Sequence, residues 1–129
     1  KTMKISKLVI AVFMLLTPFL VSAQSIVGDW LRNDITEAGV AVKSKISFKK
    51  DGKMLFDFAN DGKVDVELVY TVKGNQFTVK VVTPNHPCGD TVGTWEFRIE
   101  GDTFYGKPID EPCDLRRGDG KEGTMTRVP

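Results

Sequence analysis

Residues 64–82 read VDVELVYTVKGNQFTVKVV, and this stretch decides the fold. Apolar residues recur at every second position on both sides of Gly74-Asn75, from Val64 to Val72 and again from Phe77 to Val81. A period of two places one set of side chains on a buried face and the other set in water, which is typical of a β-strand. Glycine and asparagine tolerate the positive φ that a tight hairpin turn needs. The stretch therefore predicts two antiparallel strands joined by a hairpin.

The same alternation, punctuated by Asp-Gly and Gly-Asp turn dipeptides, continues along most of the chain. It predicts eight strands, at about 27–33, 42–50, 53–59, 63–73, 76–82, 91–99, 102–108 and 122–128. No segment has ten residues of helical periodicity. The prediction is an all-β fold, an eight-stranded antiparallel up-and-down meander closed into a barrel, because closure removes exposed strand edges. An open sandwich is the alternative.

Residues 1–23 have the three-part pattern of a secretory signal peptide: an early group of lysines, an apolar run over 8–16, and small residues at 21–23. The apolar run is shorter than the roughly 20 residues of a bilayer span. We therefore expect an exported protein, periplasmic or secreted, in which residues 24–129 form the barrel domain without inserting into a membrane. Without the signal and its three lysines the formal charge changes from +1 to −2, which argues against nucleic acid as a partner.

The chain has two cysteines, Cys88 and Cys113, and export makes a disulfide between them plausible. If Glu100-Gly101 is the two-residue loop of the hairpin that follows Cys88, Phe97 faces Phe104 across the ladder. In that register the two cysteines also face each other, at the open end of the hairpin. The sequence therefore predicts a Cys88–Cys113 bond.

Thirteen alternating positions are predicted to face the barrel interior: Val42, Ile46, Phe48, Met54, Phe56, Phe58, Val66, Leu68, Tyr70, Phe77, Val79, Trp95 and Phe97. Six of them are Phe or Trp, and such bulky rings favour a filled interior over an open pocket. Ser44 and Thr94 are the polar side chains that could orient a ligand. If a pocket is present, its candidate lining consists of Phe48, Phe56, Phe58, Tyr70, Phe77, Trp95 and Phe97.

Gly28-Asp29-Trp30 near the start of the domain and Arg127 near its end resemble the lipocalin and wider calycin pattern, a Gly-x-Trp on the first strand with an arginine on the last. The resemblance implies that Trp30 closes one end of the barrel and that Arg127 packs across its ring through a cation–π contact. Gly28, Trp30 and Arg127 are therefore the expected closure residues.

A second group of residues resembles bacterial secreted lipocalin-like domains, which often combine a cysteine, a Gly-aromatic strand, a Gly-Asp turn and an Asp-x-Cys-x-x-Arg segment. The counterparts are Cys88, Gly93-Thr94-Trp95, Gly101-Asp102 and Cys113-Asp114-Leu115-Arg116, with the acid at Asp110 and Glu111. The resemblance covers most of residues 26–128. It implies a pocket for a small hydrophobic ligand.

We expect a non-enzymatic domain that binds a small apolar ligand or a protein partner, without a cofactor or a metal. Two other classes stay open. An enzyme would use the loops 83–90 and 109–121, where His86 lies two residues before Cys88 and a Cys–His pair can form a nucleophile. A structural or inhibitor-like module would have a filled barrel. The charged residues over 114–122 are expected to form a solvated loop, or else to gate the mouth of the barrel.

Overall fold

The computed structural model describes residues 25–129, and their strands form a closed antiparallel barrel. The eight strands are β1 (Gly28–Ile35), β2 (Ala41–Phe48), β3 (Lys53–Asp57), β4 (Val66–Lys73), β5 (Gln76–Val81), β6 (Gly93–Glu100), β7 (Thr103–Asp110) and β8 (Gly123–Arg127). Each strand pairs with the next along the chain, and β8 pairs with β1. The predicted all-β class, meander order and closure are confirmed. The predicted signal peptide, residues 1–23, lies outside the described residues.

The connection between β3 and β4 is longer than the alternation predicts. Phe58–Asn60 form a 3-10 turn in which Ala59 and Asn60 have positive φ, of 67° and 53°. The buried Asp57 carboxylate accepts hydrogen bonds from the backbone N–H groups of Asp61, at 3.0 Å, and Gly62, at 2.9 Å. These bonds hold the chain in a turn. The strands predicted over 53–59 and 63–73 therefore end earlier and begin later than expected.

Helical structure between β7 and β8 is confined to a single turn, α1 (Asp114–Arg117). A helix of ten residues is not predicted from the sequence, and none is present in residues 25–129. Over the same residues, no helix combines the length and the apolar character that a bilayer span requires.

One end of the barrel is filled by aromatic side chains. Trp30 is fully buried, and its ring lies edge-on to Phe104 with the centroids 5.3 Å apart. Phe48 contacts both Phe77, at 5.7 Å, and Phe104, at 5.9 Å between centroids. Edge-on and offset contacts of this kind add to the burial energy of the rings. This cluster forms the floor of the barrel.

The floor is covered by an arginine where the first and last strands meet. Arg127 lies opposite Trp30 in the β1–β8 ladder, with its guanidinium carbon 4.2 Å from the centroid of the indole ring. The indole Nε1–H donates to the Ile26 carbonyl at 3.0 Å. Gly28 leaves room for the arginine, because an added Cβ would stand 3.0 Å from Arg127 Nη1 and the φ of 143° is strained for other residues.

The register of the β6–β7 hairpin differs from the prediction. Its loop is Gly101-Asp102, so Phe97 lies opposite Gly106 and Phe104 lies opposite Ile99. The predicted Phe97–Phe104 pairing is wrong because Gly101, with a φ of 59°, occupies the first position of the turn. Phe97 and Phe104 still stack as diagonal neighbours, with centroids 5.7 Å apart.

Candidate ligand-binding site

A cavity of about 980 Å³ lies above the aromatic floor. This volume is at the upper end of the range of roughly 300–1,000 Å³ for small-molecule pockets. The predicted filled interior is therefore wrong. Most of the bulky rings crowd together at one end of the barrel, and smaller side chains leave space at the other end, where Phe56 and Phe58 are the exceptions. Its apolar walls include Ile46, Met54, Val66, Leu68, Val79, Val81 and Met125.

Five of the seven predicted lining residues line the cavity, and the other two lie in the floor. The cavity is lined by Phe48, Phe56, Phe77 and Trp95 and, at the exposed turn after β3, by Phe58. Tyr70 and Phe97 lie outside this lining and pack in the floor.

Tyr70 fastens the floor to the β2–β3 turn. Its ring lies edge-on to Phe48, with centroids 5.1 Å apart, and its hydroxyl donates to the Lys49 carbonyl at 2.6 Å. Partial burial, together with the nearby Asp51 carboxylate, raises the pKa of the Tyr70 phenol. The Tyr70 side chain therefore stabilises the floor and does not face the cavity.

The two predicted polar orienting residues also differ in position. Ser44 is buried and lines the cavity, and its Oγ has no hydrogen-bond partner among residues 25–129. Thr94 does not line the cavity, because it is the neighbour of Trp95 on β6 and adjacent residues of a strand point to opposite faces.

The mouth of the cavity combines a charge pair with exposed apolar side chains. Arg32 Nε donates to Asp34 Oδ1 at 2.9 Å, and the Arg32 guanidinium carbon lies 5.5 Å from the centroid of the Phe56 ring. Ile35 and Leu115 also line the cavity, although they are 76% and 66% exposed. Exposed apolar side chains on a partly charged rim, together with an apolar interior, can receive a hydrophobic molecule from water.

The predicted disulfide is present. Cys88 and Cys113 are bonded, with their Cα atoms 5.4 Å apart, just beyond the last paired residues of β6 and β7. His86 lies beside this bond, where its Nδ1 accepts the backbone N–H of Cys88 at 3.1 Å. Because the Cys88 sulfur is bonded to Cys113, it does not offer the thiol that a Cys–His nucleophile would need.

A buried ion pair lies next to the disulfide, in a segment expected to be a solvated loop. The Glu111 side chain is 0% exposed and that of Arg116 only 8% exposed. Arg116 Nε and Nη2 both donate to the Glu111 carboxylate, and Nη2 also donates to the Thr91 carbonyl at 2.8 Å. Arg116 lines the cavity. The expectation of solvation is therefore wrong for Arg116.

Gly93 makes the space that the Glu111 carboxylate occupies. A Cβ at position 93 would stand 1.4 Å from Glu111 Oε2, so any side chain larger than hydrogen would displace it. A signal for the pair was present in the sequence. Glu111 and Arg116 flank Cys113 in a Glu-x-Cys-x-x-Arg pattern, and the disulfide anchors the middle of that pattern to the barrel.

Three aspartates in the β3–β4 connection lie close together. Asp57, Asp61 and Asp65 each offer a carboxylate oxygen within 4.8 Å of the others. All three carboxylates accept backbone N–H groups of the same turn, and the bond from the Lys63 N–H to Asp61 lowers the pKa of Asp61. Capping of the turn accounts for this grouping.

In comparisons with known proteins, no family model, no curated protein and no solved structure matches this chain. The closed eight-stranded antiparallel barrel is compatible with a lipocalin-like fold.

Proposed function

We propose that residues 24–129 are an exported, non-enzymatic, calycin-like domain that binds a small, mostly apolar ligand inside the barrel. The observation that carries this proposal is the cavity of about 980 Å³ with its largely apolar walls. Enclosure of a hydrophobic molecule there removes apolar surface from water, at roughly 25 cal/mol per Å².

The calycin relationship is supported by the contact between Trp30 and Arg127. These residues, chosen from their sequence context, meet at the junction of β1 and β8 with a 4.2 Å distance from the guanidinium carbon to the ring centroid. Gly28 provides the space for the arginine. The contact covers the closed end, so that a ligand would enter from the opposite end.

Export is supported by the disulfide, which also argues against the Cys–His nucleophile of the enzyme alternative. A Cys88–Cys113 bond is consistent with an oxidising compartment, which agrees with the signal-like pattern of residues 1–23. The same bond consumes the only thiols of the chain.

Binding of N-phenyl-1-naphthylamine, a neutral apolar dye that fluoresces when sheltered from water, tests the proposal. We expect a Kd on the order of 1 µM, which corresponds to about −8 kcal/mol. Val66 and Val69 on β4 give a matched pair of variants, because Val66 lines the cavity whereas Val69 is exposed on the outer surface. Val66→Trp should weaken dye binding about tenfold or more by filling the cavity, and Val69→Trp should leave it unchanged.

Circular dichroism and urea unfolding of both variants separate a filled cavity from a damaged fold. Absence of dye binding to the folded protein would contradict the proposal. Equal binding by folded Val66→Trp and Val69→Trp would place the dye outside the barrel and contradict it as well.

A further inference from the structure

Three buried polar atoms around the cavity have no hydrogen-bond partner among residues 25–129: Ser44 Oγ, Trp95 Nε1 and Arg116 Nη1. All three residues line the cavity. Buried polar groups in folded proteins are nearly always paired, because an unpaired one loses its hydration without compensation. A group of unpaired atoms around one cavity therefore indicates the chemistry of what the cavity holds.

Two of the three atoms belong to groups that can only donate. An indole N–H has no acceptor function, and an arginine guanidinium carries donors alone and keeps its proton at any ordinary pH. The Ser44 hydroxyl both donates and accepts, so it does not discriminate between ligands. A ligand that pairs with Trp95 and Arg116 must therefore carry a hydrogen-bond acceptor.

The two donors are held on the same wall of the barrel. Trp95 follows Gly93 by two residues on β6, and Gly93 is the position against which the Glu111 carboxylate packs. Glu111 accepts from Arg116 Nε and Nη2, and the Thr91 carbonyl accepts from Nη2. These bonds orient the guanidinium and leave Nη1 as its donor without a protein partner. Because Nη1 and the Trp95 Nε1 are themselves buried, they reach a ligand in the cavity when the two side chains turn slightly toward it.

We propose that the polar end of the ligand is a hydrogen-bond acceptor, a carboxylate or carbonyl oxygen, which receives hydrogen bonds from Arg116 Nη1 and Trp95 Nε1 while its apolar part fills the barrel. This inference depends on the proposed function, since it names the chemical class of the ligand in the same cavity. A carboxylate would add a charge-assisted bond to arginine. A ketone would use the same donors without the charge.

Displacement of bound N-phenyl-1-naphthylamine by three ten-carbon compounds tests the proposal: decanoate, 2-decanone and decylammonium. Decanoate is a charged acceptor, 2-decanone is a neutral acceptor, and decylammonium only donates. We expect decanoate, 2-decanone or both to displace the dye at concentrations about tenfold lower than decylammonium. A stronger effect of decanoate than of 2-decanone would assign the site to a carboxylate, and equal effects would assign it to a carbonyl oxygen.

Variants test whether the preference for acceptor compounds comes from Trp95 Nε1 and Arg116 Nη1. The advantage of the acceptor compounds is the ratio of the decylammonium concentration to the decanoate or 2-decanone concentration that displaces half of the dye. Trp95→Phe removes the indole donor and keeps an aromatic ring, so this ratio should fall about three- to tenfold. Glu111→Leu combined with Arg116→Met removes the buried pair as a unit and should reduce the advantage further, because replacing both members leaves no unpaired buried charge. Arg98→Met with Glu122→Leu is the matched control, since this pair, 2.8 Å apart, is exposed on the outside. It should retain the full advantage.

Failure of this inference can be distinguished from failure of the proposed function. If the dye does not bind, the cavity function itself fails. If the dye binds but decylammonium displaces it as well as decanoate and 2-decanone do, the acceptor site is refuted. An acceptor advantage that survives unchanged in folded Trp95→Phe and in the folded Glu111→Leu, Arg116→Met variant would also refute it.

Discussion

At the scale of single residues, Gly93 is the position where the lack of a side chain matters most for the cavity. Its missing Cβ leaves the space for the Glu111 carboxylate, which in turn holds Arg116 at the cavity wall. The glycine is needed here for close packing rather than for an unusual backbone conformation. A turn or a positive φ is the more common reason for a glycine in a strand protein.

Gly93→Ala should therefore destabilise the fold by about 1–3 kcal/mol, the usual cost of forcing extra volume into a packed site. Urea unfolding monitored by circular dichroism measures the change. Gly123→Ala is the control, because an added Cβ at that position meets nothing within 4 Å. Equal losses in the two variants would show that strand propensity, and not the Glu111 carboxylate, determines the effect.

Tyr70 links the stability of the barrel to alkaline pH. Burial raises its pKa above the ordinary value of 10.0, so the folded state favours the protonated phenol. This contribution to stability is fully present below pH 10.0 and is lost as the pH rises through the higher pKa of the folded state.

Tyr70→Phe should therefore flatten the alkaline fall in the free energy of unfolding. The measurement is urea unfolding at about pH 8 and about pH 11, where wild-type protein should lose more stability than Tyr70→Phe between the two values. Tyr105→Phe, which removes the other tyrosine hydroxyl of the chain, is the control variant. A Tyr70→Phe profile parallel to that of the wild type would contradict the assignment.

At the scale of elements, the disulfide attaches α1 and its flanking residues to the start of β6. Cys113 immediately precedes α1, and its bond to Cys88 spans 25 residues of sequence. The loop that it closes contains the whole β6–β7 hairpin. One covalent bond thus holds both the short helix and the ion pair beside the cavity.

Replacement of both cysteines by alanine should lower the free energy of unfolding by about 3.5 kcal/mol, the chain-entropy value for a loop of this length. Equilibrium urea unfolding of the wild type and of Cys88→Ala with Cys113→Ala measures the difference. Reduction of the wild-type protein with dithiothreitol should reproduce the loss. An unchanged midpoint after complete reduction would mean that the ladder alone holds α1 in place.

The sequence predicts strands better than it predicts the exact pairing between them. Alternation over 64–82 and its turn at Gly74-Asn75 give both strands and their hairpin. In the β6–β7 hairpin, however, Glu100-Gly101 and Gly101-Asp102 both read as turns, and only the φ of Gly101 decides between them. The disulfide prediction holds although this register is wrong, because both cysteines lie beyond the ladder in segments that can approach each other.

At the scale of the whole molecule, alternation predicts which side chains face inward but not how much space they leave. The interior volume depends on how rings from opposite strands share one level of the barrel. Phe48, Phe77 and Phe104 meet at one end, and the cavity of about 980 Å³ remains above them. A count of aromatic residues cannot show this separation, since it ignores their height along the barrel axis.

The candidate site was less predictable than the fold for a related reason. Glu111 and Arg116 are charged and lie in a loop with several exposed charges, so composition alone favours a solvated position for both. Their burial follows from contacts that form only in the folded barrel, with Gly93 and with the Thr91 carbonyl. Alternation identifies Trp95 as a lining residue. It does not show that the indole N–H has no hydrogen-bond partner, because that depends on which residues surround the ring in the folded barrel.

The seam between β1 and β8 has a consequence for the order of folding. Every other ladder joins strands that follow each other in sequence and can form as a local hairpin. The seam joins the two strands that are farthest apart in the sequence, through Trp30–Arg127 and Leu31–Thr126. The entropy lost on closing a loop rises with the length of that loop. We expect the seam to close late, after the transition state, so that weakening the contact between Arg127 and Trp30 accelerates unfolding while folding keeps nearly its original rate.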